Sequence, residues 1–130
     1  MDIFNRSNTM NTGGLPILSS WMLISPQNSA AHGISIQISE IPVGSEQPLH
    51  RHDPEQCYYI IRGQGLMFIE EEAKEVSAGS AIYIPPGKRH SIRNIGNGAL
   101  EYLTANSPAF DKDYEDRLWP EKAVPASQKN

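Results

Sequence analysis

The stretch "GISIQISEI", residues 33–41, limits what this chain can fold into more than any other. Ile34, Ile36 and Ile38 alternate with Ser35, Gln37 and Ser39. Successive side chains of a strand point to opposite faces, so this period of two fits a half-buried strand and not the 3.6-residue stripe of a helix. Similar short runs recur along the chain: "LPILSSWMLIS", "QCYYIIRG", "GLMFIE", "SAGSAIYIPPG", "HSIRN" and "ALEYLTA". Gly63 and Gly65 punctuate one junction, Pro85 and Pro86 stop another strand, and "IGNG" reads as a tight turn. "EEEAKEV" is expected to hold a charged turn. The first helical pattern is "DKDYEDRLWPE" from Asp111, one short turn stopped by Pro120. Many short strands with Gly and Pro turns predict an all-β sandwich or barrel. At 130 residues one domain is expected. Residues 1–16 read as a flexible N-terminal arm, 17–106 as the barrel and 107–130 as a C-terminal extension.

Charge and composition narrow the function classes. A net charge of −4, a sequence pI near 5.5 and the absence of a basic run argue against nucleic acid as a partner. No apolar stretch approaches the roughly 20 residues that span a bilayer, so no membrane partner is expected. "MDIFNRSNTMNTGG" lacks the apolar segment of a secretory signal. Cys57, the one cysteine, cannot form an internal disulfide, which fits a reducing compartment. These features point to a cytoplasmic protein. The edge strands of an open barrel need covering, and "ILSSWMLIS" is apolar enough to pair across a subunit boundary, so a homodimer is expected.

The segment "HRHDPEQCYY", residues 50–59, carries the chemistry. In an extended chain His50 and His52 stand side by side with Arg51 turned away. That geometry suits two imidazoles meeting one ion, and it equally suits a solvated strand face. The wider spacing is more informative: Gly44, five residues, His50, one, His52, three, Gln56, six, Gly63. A second pattern follows as Gly79, five, Pro85, one, Gly87, two, His90, three, Asn94.

These two patterns resemble the two sequence motifs of the cupin superfamily, the first with one substitution and the second complete. The resemblance covers residues 44–94 closely and the flanking strands loosely. It implies a double-stranded β-helix, the cupin jelly-roll barrel. It also implies one divalent transition metal (Fe, Mn, Ni, Zn or Cu) inside that barrel, held by His50, His52, Gln56 and His90. The family's usual ligand at position 56 is a glutamate, so this chain departs from the pattern there. Small uronate-linearising cupins share the His, His, Gln, His set, and three-His cupin dioxygenases also lack the carboxylate. A neutral donor set leaves the charge of the ion uncompensated and so favours an anionic ligand. Two rivals stand beside this: a bulge that lets Glu55 reach the metal instead, and a barrel that has lost metal.

Other residues have plainer readings. Tyr58 shares the face of Gln56 and is a candidate catalytic residue that orients substrate or moves a proton; packing is the alternative. Cys57 is expected to be a buried, inert thiol. His32 reads as a loop residue, and Arg51, Arg62, Lys88, Arg89 and Arg93 as solvated or entrance charges. Either Glu101 or Tyr102 faces the pocket. The functional expectation is a metalloenzyme acting on a small polar or anionic oxygen-rich molecule: a keto acid, uronate or sugar derivative, by isomerase/lyase or dioxygenase chemistry. The alternative is a non-catalytic, metal-dependent binding or sensor protein for such a molecule. A transcription regulator is a third class, but a helix-turn-helix module has no room beside the barrel.

Overall fold

In the computed structural model, which describes residues 1–11 and 17–110, the alternating segments become eight strands among the described residues. They are β1 (Ser19–Ile24), β2 (Ser35–Ile41), β3 (Glu55–Arg62), β4 (Gln64–Ile69), β5 (Glu72–Ser77), β6 (Ala81–Ile84), β7 (His90–Asn94) and β8 (Leu100–Ser107). One sheet has the order β1-β2-β8-β3-β6 and the other β5-β4-β7, and every pairing is antiparallel. This is the all-β jelly roll expected from the motifs. The short helical turn expected over 111–121 lies outside the described residues.

Ile60, Ile84, Met67, Ile92 and Leu100 fill the space between the sheets, with Ile41, Leu18 and Met22 continuing the core. Gly63 lets β3 turn directly into β4. Its φ of +93° favours glycine, and a Cβ there would lie 2.6 Å from the carbonyl oxygen of Ala99. No helix among the described residues is long and apolar enough to cross a membrane.

Two strands differ from expectation. "EEEAKEV" carries β5 itself rather than only a turn. The turn precedes it, with Glu70 at φ +51°. As an edge strand β5 exposes nearly all its side chains, so charge replaces the alternation that marks the inner strands. The second difference is one of facing. β2 does alternate, but Ser35, Gln37 and Ser39 turn into the barrel while Ile36 and Ile38 face outward. The inward polar row is stable because its neighbours answer it. Ser39 Oγ donates to Ser20 Oγ at 3.3 Å, Thr104 Oγ1 to the Gln37 carbonyl at 3.4 Å, and Asn106 Nδ2 to Ser35 Oγ at 3.0 Å.

Candidate metal centre

The two motifs meet through backbone before any side chain is considered. Pro85 ends β6, and Gly87, at φ +76°, turns the chain so that its N–H donates to the His52 carbonyl at 2.8 Å. The segment before β3 then runs antiparallel to β7. Gln47 N donates to Ile92 O at 2.9 Å, His50 N to His90 O at 3.1 Å, and His90 N to His50 O at 2.8 Å. Residues facing each other across such a pair carry their side chains on the same side. The imidazoles of His50 and His90 therefore lie 4.3 Å apart, and that of His52 lies 5.6 and 4.9 Å from them. Arg51 is turned out to solvent, as the alternation requires.

Each imidazole is held by its own local carbonyl. Nδ1 of His50 lies 2.7 Å from Pro48 O, that of His52 2.9 Å from Pro54 O, and that of His90 2.8 Å from Lys88 O. A carbonyl only accepts, so each Nδ1 carries the proton and donates, and each Nε2 carries the lone pair. One ring nitrogen from each of the three histidines lies within 4.8 Å of the others. Burial lowers the pKa of His90 to about 4 and lowers that of His52 as well, which favours the neutral form that a ligand must take.

The polar atoms left over fit a cation. His90 Nε2 is fully buried and has no hydrogen-bond partner. Gln56, on the inner face of β3, places Oε1 3.2 Å from His52 Nε2. With Nδ1 of His52 protonated, two acceptors face each other there with no proton between them. A positive ion resolves that contact, and these donors are of the imidazole and carbonyl types that divalent transition metals take. Glu55 faces outward, where its Oε1 accepts from the Tyr83 hydroxyl at 3.0 Å.

Beneath the histidines lies a buried hydrogen-bonded group. Gln47 Nε2 donates to the hydroxyls of Tyr58 at 2.8 Å and Tyr102 at 3.0 Å, and the two phenol rings stack with centroids 4.8 Å apart. The Tyr58 ring is also edge-on to His90 at 6.1 Å. Burial raises both phenols well above their ordinary pKa, so both stay protonated. Of the pair left open by the sequence, Tyr102 is the one inside. Glu101 faces outward and pairs with Arg6 and Arg62. Cys57 corrects an expectation: it is exposed on the outer face of β3, because the strand continues its alternation through Gln56 and Tyr58. Gln47 and Asn106 were not singled out by sequence. The signal for Asn106 was the inward period of Tyr102, Thr104 and Asn106; Gln47 lies in a loop and had none.

Comparison with known proteins bears on the family and the fold. The profile of a family described as "Cupin domain" matches residues 37–106. The chain is 42% identical over 84 residues to Uncharacterized protein MJ1618 of Methanocaldococcus jannaschii, covering 62% of this chain and 67% of that one. It is 37% identical over 65 residues to the Oxalate-binding protein of Thermotoga maritima, covering 49% of this chain and 54% of that protein, or about half of each. A crystal structure of an RmlC-like cupin from Shewanella frigidimarina superposes with a TM-score of 0.72 at 19% identity. That likeness, of fold alone, covers 88% of this chain and 96% of the other.

Proposed function

The chain belongs to the cupin family, and from that premise we propose that it is a metalloenzyme acting on a small polar or anionic oxygen-rich molecule. One divalent transition metal (Fe, Mn, Ni, Zn or Cu) is held by His50, His52, His90 and Gln56. The observation that carries this reading is the convergence of lone pairs: three imidazoles whose Nδ1 atoms are spent on carbonyls, with the Gln56 oxygen against one of them. A bound divalent ion supplies a Lewis acid that polarises a carbonyl or hydroxyl oxygen.

The residues around it then divide the work. Three neutral imidazoles and a neutral amide leave the site's charge to be balanced by an incoming anion, which suits a keto acid, a uronate or another sugar acid. Tyr58, protonated and oriented by Gln47, serves as a proton donor or orienting group and not as a base. Isomerase/lyase chemistry needs only polarisation and proton movement, whereas a dioxygenase requires a redox-active ion.

A second reading, a metal-dependent binding protein, draws on two observations. The Tyr58 hydroxyl is already engaged by Gln47, and one relative is named an oxalate-binding protein. Elemental analysis of protein purified without added metal tests the shared premise: about one transition-metal ion per chain is expected, and none in a His90→Ala variant. Metal at stoichiometry followed by incubation with a panel of keto acids and uronates separates the readings, since turnover supports the enzyme and saturable binding without turnover the binder. Absence of metal from protein that also takes up none on addition would end both.

A further inference from the structure

Three inward side chains stand in one row across three strands. Ser35 on β2 lies directly opposite Asn106 on β8, and Asn106 lies directly opposite Gln56 on β3. All three are at least 97% buried. We infer that Asn106 is a positioning residue that sets which end of the Gln56 amide faces the three histidines; this rests on the metal-site reading above.

The argument follows hydrogen-bond polarity from one end of the row to the other. The Ser35 carbonyl only accepts, so it calls for an N–H of Asn106; Ser35 Oγ, which takes the backbone N–H of Phe110 at 2.8 Å, has a second lone pair for the same amide nitrogen. Asn106 therefore turns its Nδ2 toward β2, 3.0 Å from Ser35 Oγ and 3.5 Å from Ser35 O. Its Oδ1 is thereby directed at β3. That oxygen needs a donor, and Gln56 Nε2 supplies one at 2.5 Å. With the nitrogen of Gln56 committed, Oε1 is the end that points at His52 Nε2.

In the absence of Asn106 the amide has a better arrangement for itself. Rotated by half a turn, Gln56 Nε2 donates to the lone pair of His52 Nε2 and removes the acceptor–acceptor contact. The rotated amide also presents N–H groups where a cation needs a lone pair. The row thus holds Gln56 in its less comfortable orientation, and β-sheet register fixes the row, because a slip of one residue would turn Asn106 to the outer face.

The test uses Co²⁺, whose visible spectrum reports its ligands, with affinity measured by chelator competition on the full chain. Asn106→Leu is expected to weaken Co²⁺ by tenfold or more, the range for a residue that orients a ligand, and to give the spectrum of Gln56→Leu. Asn106→Asp keeps an acceptor opposite Gln56 Nε2 and should retain at least wild-type affinity and the wild-type spectrum. That retention separates orientation from a general loss of packing. The double variant Asn106→Leu/Gln56→Leu should bind no worse than Gln56→Leu, because both remove the same contact. Wild-type affinity and spectrum in Asn106→Leu, with binding lost in His90→Ala, would overturn the role of Asn106 and leave the metal site standing. Unchanged binding in His90→Ala would overturn both.

Discussion

His50 and His90 exchange both of their backbone hydrogen bonds, N–H to carbonyl in each direction, although forty residues separate them. That reciprocal pair joins the two motifs and places both imidazoles on one side, where His90 Nε2 ends up buried and without a partner. An unsatisfied buried polar atom costs about 1–3 kcal/mol. His90→Leu relieves that atom but also gives up the Nδ1 bond to the Lys88 carbonyl, worth about 1 kcal/mol, so under chelator it is expected to be at least as stable as wild type while binding no metal. Thermal unfolding of both proteins with and without metal checks this. If the leucine variant is less stable than wild type under chelator by more than the about 1 kcal/mol of that lost bond, His90 Nε2 is satisfied in the metal-free protein.

Gln56→Glu places a negative charge beside the ion, and a carboxylate binds a divalent cation more strongly than an amide oxygen does. Metal affinity should rise by roughly tenfold or more, and affinity for anionic ligands should fall. The same change opposes the Asn106 oxygen, which now faces a carboxylate instead of an N–H, so the metal-free variant should be less stable than wild type. Glu55→Gln, on the outer face, should leave metal content unchanged. Metal titration of the three proteins side by side decides it. Loss of metal in Glu55→Gln with no change in Gln56→Glu would mean that the acidic neighbour is the ligand.

The histidine cluster was legible because its spacing is a property of the chain. Alternation puts His50 and His52 on one face, and the second pattern supplies His90 behind a Pro-x-Gly turn. The facing of β2 was not legible. Local alternation fixes that Ser35, Gln37 and Ser39 share a side but not which side is inside. Here the inside was decided by what β8 presents to them, Tyr102, Thr104 and Asn106. β5 was missed for the opposite reason: an exposed edge strand has no buried face to impose a period. The exposure of Cys57 follows from the same register that buries Gln56, and only the expectation that a cysteine is buried hid it.

Arg6 ties the N-terminal arm to the five-stranded sheet. Its guanidinium lies 4.0 Å over the ring of Trp21, and it pairs with Glu40 at 2.9 Å and with Glu101. Partial burial alone pushes the Glu40 carboxyl up, but hydrogen bonds from Arg6 and Arg62 outweigh it and hold the group below its ordinary 4.5. A carboxyl depressed in the folded state contributes its stability fully above the unfolded value and loses it as pH falls through the folded one. The arm should therefore stay docked through neutral and mildly acidic pH and loosen only below about 4.5. For a partly exposed pair the contribution is about 1 kcal/mol or less. Trp21 fluorescence in a Trp119→Phe background should show a step on acidification that Arg6→Ala abolishes. A step that survives Arg6→Ala would place its origin elsewhere.

The outer face of the five-stranded sheet is the remaining consequence of turning the polar row inward. Register sets two apolar rows across it: Ile24, Ile36, Ala105, Cys57 and Tyr83 in one, and Trp21, Ile38, Leu103 and Tyr59 in the next. Tyr59 and Tyr83 remain 50% and 53% exposed, with their rings beside apolar neighbours and the Tyr83 hydroxyl on Glu55. Beside them runs a charged row of Glu40, Glu101 and Arg62, which gives the face a polar margin. Such a face suits a second copy of the chain, and a homodimer is the expected state in solution. Sedimentation at micromolar concentration should give a species of twice 14.4 kDa. Leu103→Arg puts a charge at the middle of the apolar rows without touching the barrel interior. It should shift the protein to monomer while leaving metal content intact. A wild-type protein that sediments only as the monomer at these concentrations would show that this face stays in water.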